Sequence, residues 1–172
     1  LSQKGWIRCA KSHEFISSQL TFKSGDASFA QTTGYAHWPT LVFDDKGYAY
    51  TLTSHLLPSA RGQGEPITKF LTLNGALQPF LINAHEDQTL IFVSSQGYGF
   101  CSTVKSASSR TKNGKKIISL SSSAKICTVT TIAADTQKLA IISQQGRILI
   151  INLEDVPHLA KGKGNKLMQI HT

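Results

Sequence analysis

The chain has 172 residues, enough for one sizeable hydrophobic core, with 40% hydrophobic residues and a formal net charge of +8. Its apolar runs are far shorter than the roughly 20 residues of a membrane helix, so no membrane partner or span is predicted. Three cysteines without a CxxC pair argue against a disulfide framework or a zinc knuckle and favour a reducing, intracellular setting. Since the chain begins at Leu1 and shows no signal peptide, we expect a piece of something longer.

One pattern recurs along the chain: an apolar run, two or three polar residues, a glycine and a second apolar run. In chain order it reads LSQKGWIRC, LVFDDKGYAY, LIFVSSQGYGF and LAIISQQGRILI, and the glycines are Gly5, Gly47, Gly97 and Gly146. The last three follow one another at spacings of 50 and 49 residues. Strand-forming runs on both sides of a glycine turn predict a β-hairpin in each copy, the first copy lacking its leading strand.

A second series of glycines follows these hairpin glycines. Gly64, Gly114 and Gly164 are 50 residues apart and lie 17 or 18 residues after their partners, and Gly25 is the expected equivalent in the first copy. An apolar residue recurs three positions after each of the three evenly spaced glycines, at Ile67, Ile117 and Leu167. Two registers kept over three copies indicate a repeat protein.

Helical signals are almost absent, and only EDVPHLA, residues 154–160, is expected to form a short helical turn. An all-β chain with a period of about 50 residues predicts propeller-type blades that pack against their neighbours, although the WD40 and kelch signatures are missing. We therefore predict one domain over residues 1–172, with repeats at approximately 1–46, 47–96, 97–145 and 146–172.

Reactive side chains mostly stand at repeated positions, which favours packing over chemistry. This applies to Cys9 and Cys101, to Tyr48, Tyr50 and Tyr98, and to His13 and His55. The pair Asp44 and Asp45 stands in a hairpin turn and is expected to be solvated. Because metal-ligand spacing, a phosphate-binding glycine loop and a nucleophile–base pattern are all missing, we predict neither a catalytic site nor a metal site in this chain.

Positive charge is concentrated in one part of each repeat. The segments 5–25, 47–69, 97–116 and 146–166 contain 14 of the 18 basic residues but only 4 of the 10 acidic ones. Stacking equivalent segments blade on blade would form one basic band, the electrostatic footprint of a nucleic-acid backbone. A solvated face that merely keeps the protein soluble is the alternative, but fourfold repetition favours the band. Since no aromatic stacking platform is interleaved with the lysines, duplex DNA is favoured over single strands.

The hairpin–turn repeat resembles the C-terminal β-pinwheel domain of the A subunits of bacterial type II topoisomerases, over essentially the whole chain. LPSARGQGEP (residues 57–66) and KGKGNK (residues 161–166) are similar to the A subunit of topoisomerase IV rather than to that of DNA gyrase, and GWIRCAKSH and QGYGF agree with this choice. The resemblance implies an all-β β-pinwheel, whose propeller-like blades exchange hairpins with their neighbours. Because the first and last copies are cut, we expect a partial disc.

The resemblance also implies a role for the rim of the disc, around which DNA bends. The domain would hold the transported DNA segment near the cleavage core and tune the preference among supercoils and catenanes. The implied partners are duplex DNA, the N-terminal cleavage core of the same polypeptide and the B subunit of topoisomerase IV, at the nucleoid in the bacterial cytoplasm. Magnesium and ATP would be bound elsewhere in the parent enzyme, and no cofactor in this chain. The rim residues implied by the resemblance, which the charge distribution also selects, are Arg8, Lys11, Arg61, Lys69, Lys105, Arg110, Lys112, Lys115, Lys116, Arg147, Lys161, Lys163 and Lys166.

Two other functions stay open at this point. One is the C-terminal domain of the gyrase A subunit; gyrase pinwheels carry a contiguous Gln-Arg-Arg-Gly-Gly-Arg-Gly box, of which ARGQG, RTKNGKK and AKGKGNK are diluted relatives. The other is a propeller-like scaffold that binds an acidic protein partner through the same rim. In either case the first basic turn is expected to be a weak point, because Arg61 is its only basic residue.

Overall fold

The computed structural model describes residues 1–11 and 20–169. Their strands, in chain order, are β1 (Trp6–Ile7), β2 (Pro39–Asp44), β3 (Tyr48–Thr53), β4 (Glu65–Pro66), β5 (Leu77–Asn83), β6 (Thr89–Ser94), β7 (Tyr98–Thr103), β8 (Lys115–Lys116), β9 (Ile126–Thr131), β10 (Lys138–Ile142), β11 (Ile148–Asn152) and β12 (Asn165–Lys166). A short α-helix, α1 (Val104–Ala107), and 3-10 turns at Ser54–Leu56, Ile67–Lys69 and Leu153–Asp155 complete these elements. Strands contain 39% of the residues and helices 8%, which confirms the all-β prediction. No helix in the described part of the chain is long and apolar enough to cross a membrane.

The repeated pattern forms the predicted hairpins β2–β3, β6–β7 and β10–β11. In the first of them Gly47 has a φ of +85°, the left-handed conformation that the last residue of a three-residue turn adopts. The side chain three positions before the hairpin glycine closes the turn. The Asp44 carboxylate accepts a hydrogen bond from the N–H of Tyr48 at 2.9 Å, and the Ser143 hydroxyl accepts one from the N–H of Arg147 at 3.1 Å. The polar residues of the pattern therefore stabilise the turn.

The second glycine of a repeat precedes a two-residue strand that crosses to the preceding copy. β8 pairs with β3, β12 with β7 and β4 with β1, all antiparallel. The N–H of Ile117 donates to the carbonyl of Gly47 at 2.9 Å, and the N–H of Leu167 donates to the carbonyl of Gly97 at 2.8 Å. The two glycine series keep the same spacing because residues beside the second glycine of one copy pair with residues beside the hairpin glycine of the preceding copy. This exchange between neighbouring blades confirms the β-pinwheel fold.

Two blades are complete four-stranded sheets, with strand orders β5-β2-β3-β8 and β12-β7-β6-β9. Within the described residues, β1 with β4 and β10 with β11 form two-stranded sheets. The largest core lies between the two complete blades, where the rings of Phe43 and Phe92 meet edge to face at a centroid distance of 5.9 Å. Phe92 in turn stacks on Phe100 at 5.1 Å. Neighbouring blades therefore bury apolar faces against each other, and within residues 1–11 and 20–169 the sheets do not close into a ring.

Two local expectations differ from the structure. Gly25 has the positive φ of a second-series glycine, but Ser28 then pairs with Ser2 of the same copy, so no strand is exchanged there. The predicted helical turn at 154–160 is a 3-10 turn one residue earlier, whereas α1 had no clear sequence signal. Its start is capped by the Thr103 hydroxyl, which accepts a hydrogen bond from the N–H of Ser106 at 3.1 Å.

The predicted packing of the repeated side chains is confirmed in part. Cys101 is fully buried, and burial raises the pKa of its thiol, whereas Cys9 is half-buried. His55 is exposed, and His13, grouped with it as a structural residue, lies outside the described residues. Cys101 therefore acts as a small apolar residue between blades.

The expected solvation of Asp44 is wrong. Its side chain is completely buried, because the hydroxyl of Tyr50 donates to Oδ2 at 2.6 Å while the N–H groups of Lys46 and Tyr48 donate to Oδ1. Tyr50 in turn accepts a hydrogen bond from the N–H of Asn74 at 2.8 Å. The carboxylate is thus a fully bonded polar centre of the blade, whereas its neighbour Asp45 stays exposed.

Tyr50→Phe is expected to lower the free energy of unfolding at pH 7 by about 1–3 kcal/mol, because Asp44 would lose a buried donor. Burial and the hydrogen bond to Asp44 raise the pKa of Tyr50 to about 12, above its ordinary value of 10. A raised folded-state pKa means that the stabilisation is complete below pH 10 and is lost as the pH rises towards 12. Urea unfolding of both proteins across that range should show the difference shrinking. The exposed Tyr35 serves as the control, and an equal effect of Tyr35→Phe would contradict this role.

Candidate nucleic-acid interface

The basic turns before the exchanged strands follow one another along neighbouring blades. In each turn the carbonyl two positions before the second glycine accepts a hydrogen bond from an earlier part of the chain. The carbonyl of Gly62 accepts from the guanidinium of Arg8 at 2.8 Å. That of Lys112 accepts from the N–H of Thr72 at 2.8 Å, and that of Gly162 from the N–H of Ser119 at 2.9 Å. Because Thr72 follows the first turn and Ser119 follows the second, the three turns are joined in series.

The third turn carries three exposed lysines within six residues. Lys161, Lys163 and Lys166 are all exposed. The Nζ atom of Lys163 lies 3.8 Å from the ring centroid of Tyr98, and that of Lys166 lies 4.9 Å from the same centroid. Asn165 and Lys166 pair in register with Gly99 and Tyr98 of the preceding copy. Three ammonium groups therefore project from one exchanged strand and its turn.

The second turn is anchored to α1. Lys115 and Lys116 form the exchanged strand β8, and both are exposed. The Nζ atom of Lys115 donates to the carbonyl of Ser106 at 2.8 Å, which places α1 and its exposed Lys105 beside this turn. Arg110 and Lys112 precede the strand and are exposed as well.

The first turn offers the least free positive charge, in line with the sequence. Arg61 is exposed, but the ammonium of Lys69 is bound to the carboxylate of Glu65 at 2.8 Å. The guanidinium of Arg8 donates to the carbonyls of Gly62 and Thr21 and lies 5.0 Å from the ring centroid of Phe22. Arg8 therefore ties the first turn to the preceding copy and has fewer donors left for a phosphate.

The two remaining rim residues, Lys11 and Arg147, lie outside the three turns. Lys11 is exposed and is the last described residue before residue 20. Arg147 is exposed and directly follows the hairpin glycine Gly146, in the two-stranded sheet β10–β11. Neither residue takes part in the hydrogen bonds that join the three turns.

Aromatic side chains from other segments contact the lysine clusters, although none is interleaved with the lysines in the sequence. The aromatic residue after a hairpin glycine is half-buried and lies against lysines: Tyr98 against Lys163 and Lys166, and Trp6 against Lys23 at 3.1 Å. The aromatic residue and its lysine stand far apart in sequence or in different repeats. Only the alignment of the two glycine series could have indicated the pairing of Tyr98 with Lys166, since each residue stands at a fixed offset from its glycine.

Among the described residues, no group of three or more His, Cys, Asp or Glu side chains is placed to hold a metal ion. The rim itself offers fixed positive charges on a scaffold, and its lysines outnumber its arginines. Ammonium groups bind phosphate as point charges and without the bidentate geometry that reads a base edge.

The chain is similar to a family model and to curated proteins that are all A subunits of type II topoisomerases or their C-terminal domains. A family model described as DNA gyrase C-terminal domain, beta-propeller, matches residues 88–131 and 137–171. The A subunit of DNA topoisomerase 4 from Haemophilus influenzae is 40% identical over 171 residues, and that from Escherichia coli K12 is 39% identical. Each of these alignments covers 99% of this chain and 23% of the relative, so the chain spans about 23% of the length of these relatives.

Solved structures show the same fold. The Escherichia coli ParC C-terminal domain superposes with a TM-score of 0.91 at 38% identity, covering 99% of this chain and 70% of that one. A C-terminal domain of DNA topoisomerase IV gives a TM-score of 0.73 at 18% identity, covering 96% and 55%, and the DNA gyrase A C-terminal domain gives 0.67 at 15%, covering 98% and 59%. The last two show a likeness of fold alone.

Proposed function

This chain belongs to the family of C-terminal domains of the topoisomerase IV A subunit, and from that premise we propose that it binds duplex DNA along its basic turns without sequence specificity. The observation that carries the proposal is the serial connection of the three turns, each at the equivalent place in its blade. Exposed ammonium groups in series match the spaced negative charges of a phosphate backbone. Within the described residues the only α-helix is the four-residue α1, too short to fill a DNA groove, which favours backbone contacts over base reading.

The wider role follows from the family. We propose that duplex DNA bends on the rim of the partial disc, that the domain thereby positions the transported segment, and that it tunes the preference among supercoils and catenanes. The parent protein would be an ATP-dependent type II topoisomerase that changes DNA topology and serves chromosome segregation in the bacterial cytoplasm, at the nucleoid. Its N-terminal cleavage core, the B subunit, magnesium and ATP would lie in parts that this chain does not span. The names of the relatives and the 23% coverage support this division.

Two alternatives are less well supported. A gyrase-type domain is disfavoured because identity to the gyrase A structure is 15%, against 38% to the ParC domain. A scaffold for an acidic protein partner would use the same charges, but it does not require them to follow one another along successive blades. The two classes of partner differ in how their binding depends on salt.

Salt dependence tests the proposed function. We expect log K for two unrelated duplexes of about 30 base pairs to fall with log salt at the same slope, between about −3 and −6, because each phosphate contact contributes roughly −0.9. Fluorescence anisotropy titrations at several salt concentrations measure it. No binding at low salt, a flat slope, or tighter binding to polyglutamate than to either duplex would contradict the proposal.

A further inference from the structure

The residue that directly follows each hairpin glycine is aromatic or cationic in every copy. These residues are Trp6, Tyr48, Tyr98 and Arg147, and the three aromatic side chains are half-buried. The three aromatic residues stand at the start of β1, β3 and β7, the strands with which the exchanged strands of the next copies pair. In an antiparallel pair, residues directly opposite each other project to the same face of the sheet. Each aromatic ring therefore lies beside the side chain that stands opposite it in the exchanged strand of the next repeat.

At Tyr98, the neighbouring side chains are lysines of the third basic turn. Lys166 lies directly opposite Tyr98 in the register of β12 and β7, and Lys163 reaches the same ring from the turn. Their Nζ atoms lie 4.9 and 3.8 Å from the ring centroid, within the roughly 6 Å over which a cation is attracted to an aromatic face. Two exposed ammonium groups thus share one tyrosine ring.

The other copies share parts of this arrangement. Lys116 lies directly opposite Tyr48 in the register of β8 and β3. In the first copy the exchanged strand places Pro66 opposite Trp6, and a lysine from another segment takes over: the Nζ atom of Lys23 lies 3.1 Å from a Trp6 ring centroid. A cation therefore accompanies the aromatic residue even where the exchanged strand does not supply it.

A ring in this position has a physical effect on the lysines. A lysine side chain free in solvent loses considerable rotamer freedom when it is fixed on a phosphate, and partial ordering beforehand reduces that loss. The negative face of the ring also offsets the repulsion between two neighbouring ammonium groups. Because lysines cover the ring of Tyr98, that ring is not an open platform for stacking a nucleic-acid base.

We propose that Tyr98 is a positioning residue of the DNA-binding rim, which holds Lys163 and Lys166 in place for adjacent phosphates. The inference rests on the proposed DNA-binding function. Because Tyr98 belongs to the third repeat and both lysines to the fourth, the phosphate-binding unit exists only when the two repeats exchange β12. Trp6 with Lys23 is the corresponding unit of the first copy, and in the second copy Lys116 stands opposite Tyr48 in the strand register.

Tyr98→Leu in this chain tests the proposal against Tyr98→Phe and the control Tyr35→Leu, an aromatic residue that is 56% exposed and packs on Trp38. Duplex affinity of Tyr98→Leu is expected to fall about two- to fivefold, with the salt slope unchanged within about 0.5 because both lysines keep their charge. Tyr98→Phe and Tyr35→Leu should stay within about twofold of the parent chain.

A second readout does not depend on DNA. In the free chain, NMR signals of the ε-methylene protons of Lys163 and Lys166 are expected upfield, shifted by the ring of Tyr98, and this shift should vanish in Tyr98→Leu and persist in Tyr98→Phe. An unshifted signal in the parent chain, or wild-type affinity of Tyr98→Leu, would overturn the inference. So would a larger loss for single-stranded than for duplex DNA, since that would make the ring a stacking platform.

Failure of the two proposals can be told apart. If the parent chain does not bind duplex DNA at low salt, the proposed function falls and this inference falls with it. If the parent chain binds with the expected slope while Tyr98→Leu binds equally well, only the role of Tyr98 is wrong. A Tyr98→Leu chain with a lower thermal midpoint and a reduced salt slope would likewise contradict a positioning role, because it would indicate a structural one.

Discussion

Replacing Lys161, Lys163 and Lys166 together by alanine is expected to lower duplex affinity roughly 10- to 100-fold at about 0.1 M salt and to reduce the salt slope by up to ~3. All three side chains are exposed in the third turn, so their loss removes charge without creating a cavity. Each lysine that contacts a phosphate releases about one counterion, and the affinity lost is the free energy of that release. Anisotropy titrations on one duplex at several salt concentrations give both quantities.

A charge-matched control separates the rim from the net charge. Lys46, Lys125 and Lys138 are exposed and lie outside the four basic segments. Replacing them by alanine removes the same three charges, but the affinity is expected to fall less than about threefold, because charges without a phosphate contact act only through a potential that salt screens over about 10 Å at 0.1 M. Equal losses in the two triple variants would mean that only net charge matters and that the rim assignment is wrong.

Gly164→Ala is expected to destabilise the chain by about 2–4 kcal/mol and to weaken the exchange of β12. Gly164 has a φ of +79°, and a Cβ atom there would overlap the carbonyl group of Gly99 in the preceding blade. The left-handed conformation alone costs an L-residue about 1–2 kcal/mol, and the overlap with backbone adds to it, because no side chain can move away. Urea unfolding measures the change in free energy.

Two other glycines distinguish the cost of the left-handed conformation from the cost of the overlap with the neighbouring blade. A Cβ atom at Gly146 would meet nothing within 4 Å although φ is +77°, so Gly146→Ala should cost only the conformational part, about 1 kcal/mol. Gly62 has the same open space and no positive φ, so Gly62→Ala should change the stability by less than about 0.5 kcal/mol. If Gly164→Ala is no worse than Gly146→Ala, close packing between blades is not what requires glycine at that position.

Asp44 shows why the local sequence does not predict the burial of a turn residue. An aspartate before Lys46 and Gly47 has the local signature of a solvated turn, and Asp44 does accept hydrogen bonds from turn N–H groups as such a residue would. Its burial depends on Tyr50 from the other hairpin strand and on Asn74, which bonds to Tyr50 from a later segment. Neither contact has a local sequence signal, because each depends on the packing of the finished blade.

By itself the sequence determined the hairpins, the period and the concentration of charge in one segment of each repeat, because turn conformation and strand alternation depend on neighbouring residues. The glycine spacings and the resemblance together also indicated which blades exchange strands. Only the tertiary structure decided that Tyr98 meets Lys163 and Lys166, that Glu65 binds Lys69, and that Arg8 joins the first turn to its neighbour. These contacts depend on strand register between repeats and on side-chain direction across a blade, and nothing in the local pattern of either segment specifies them.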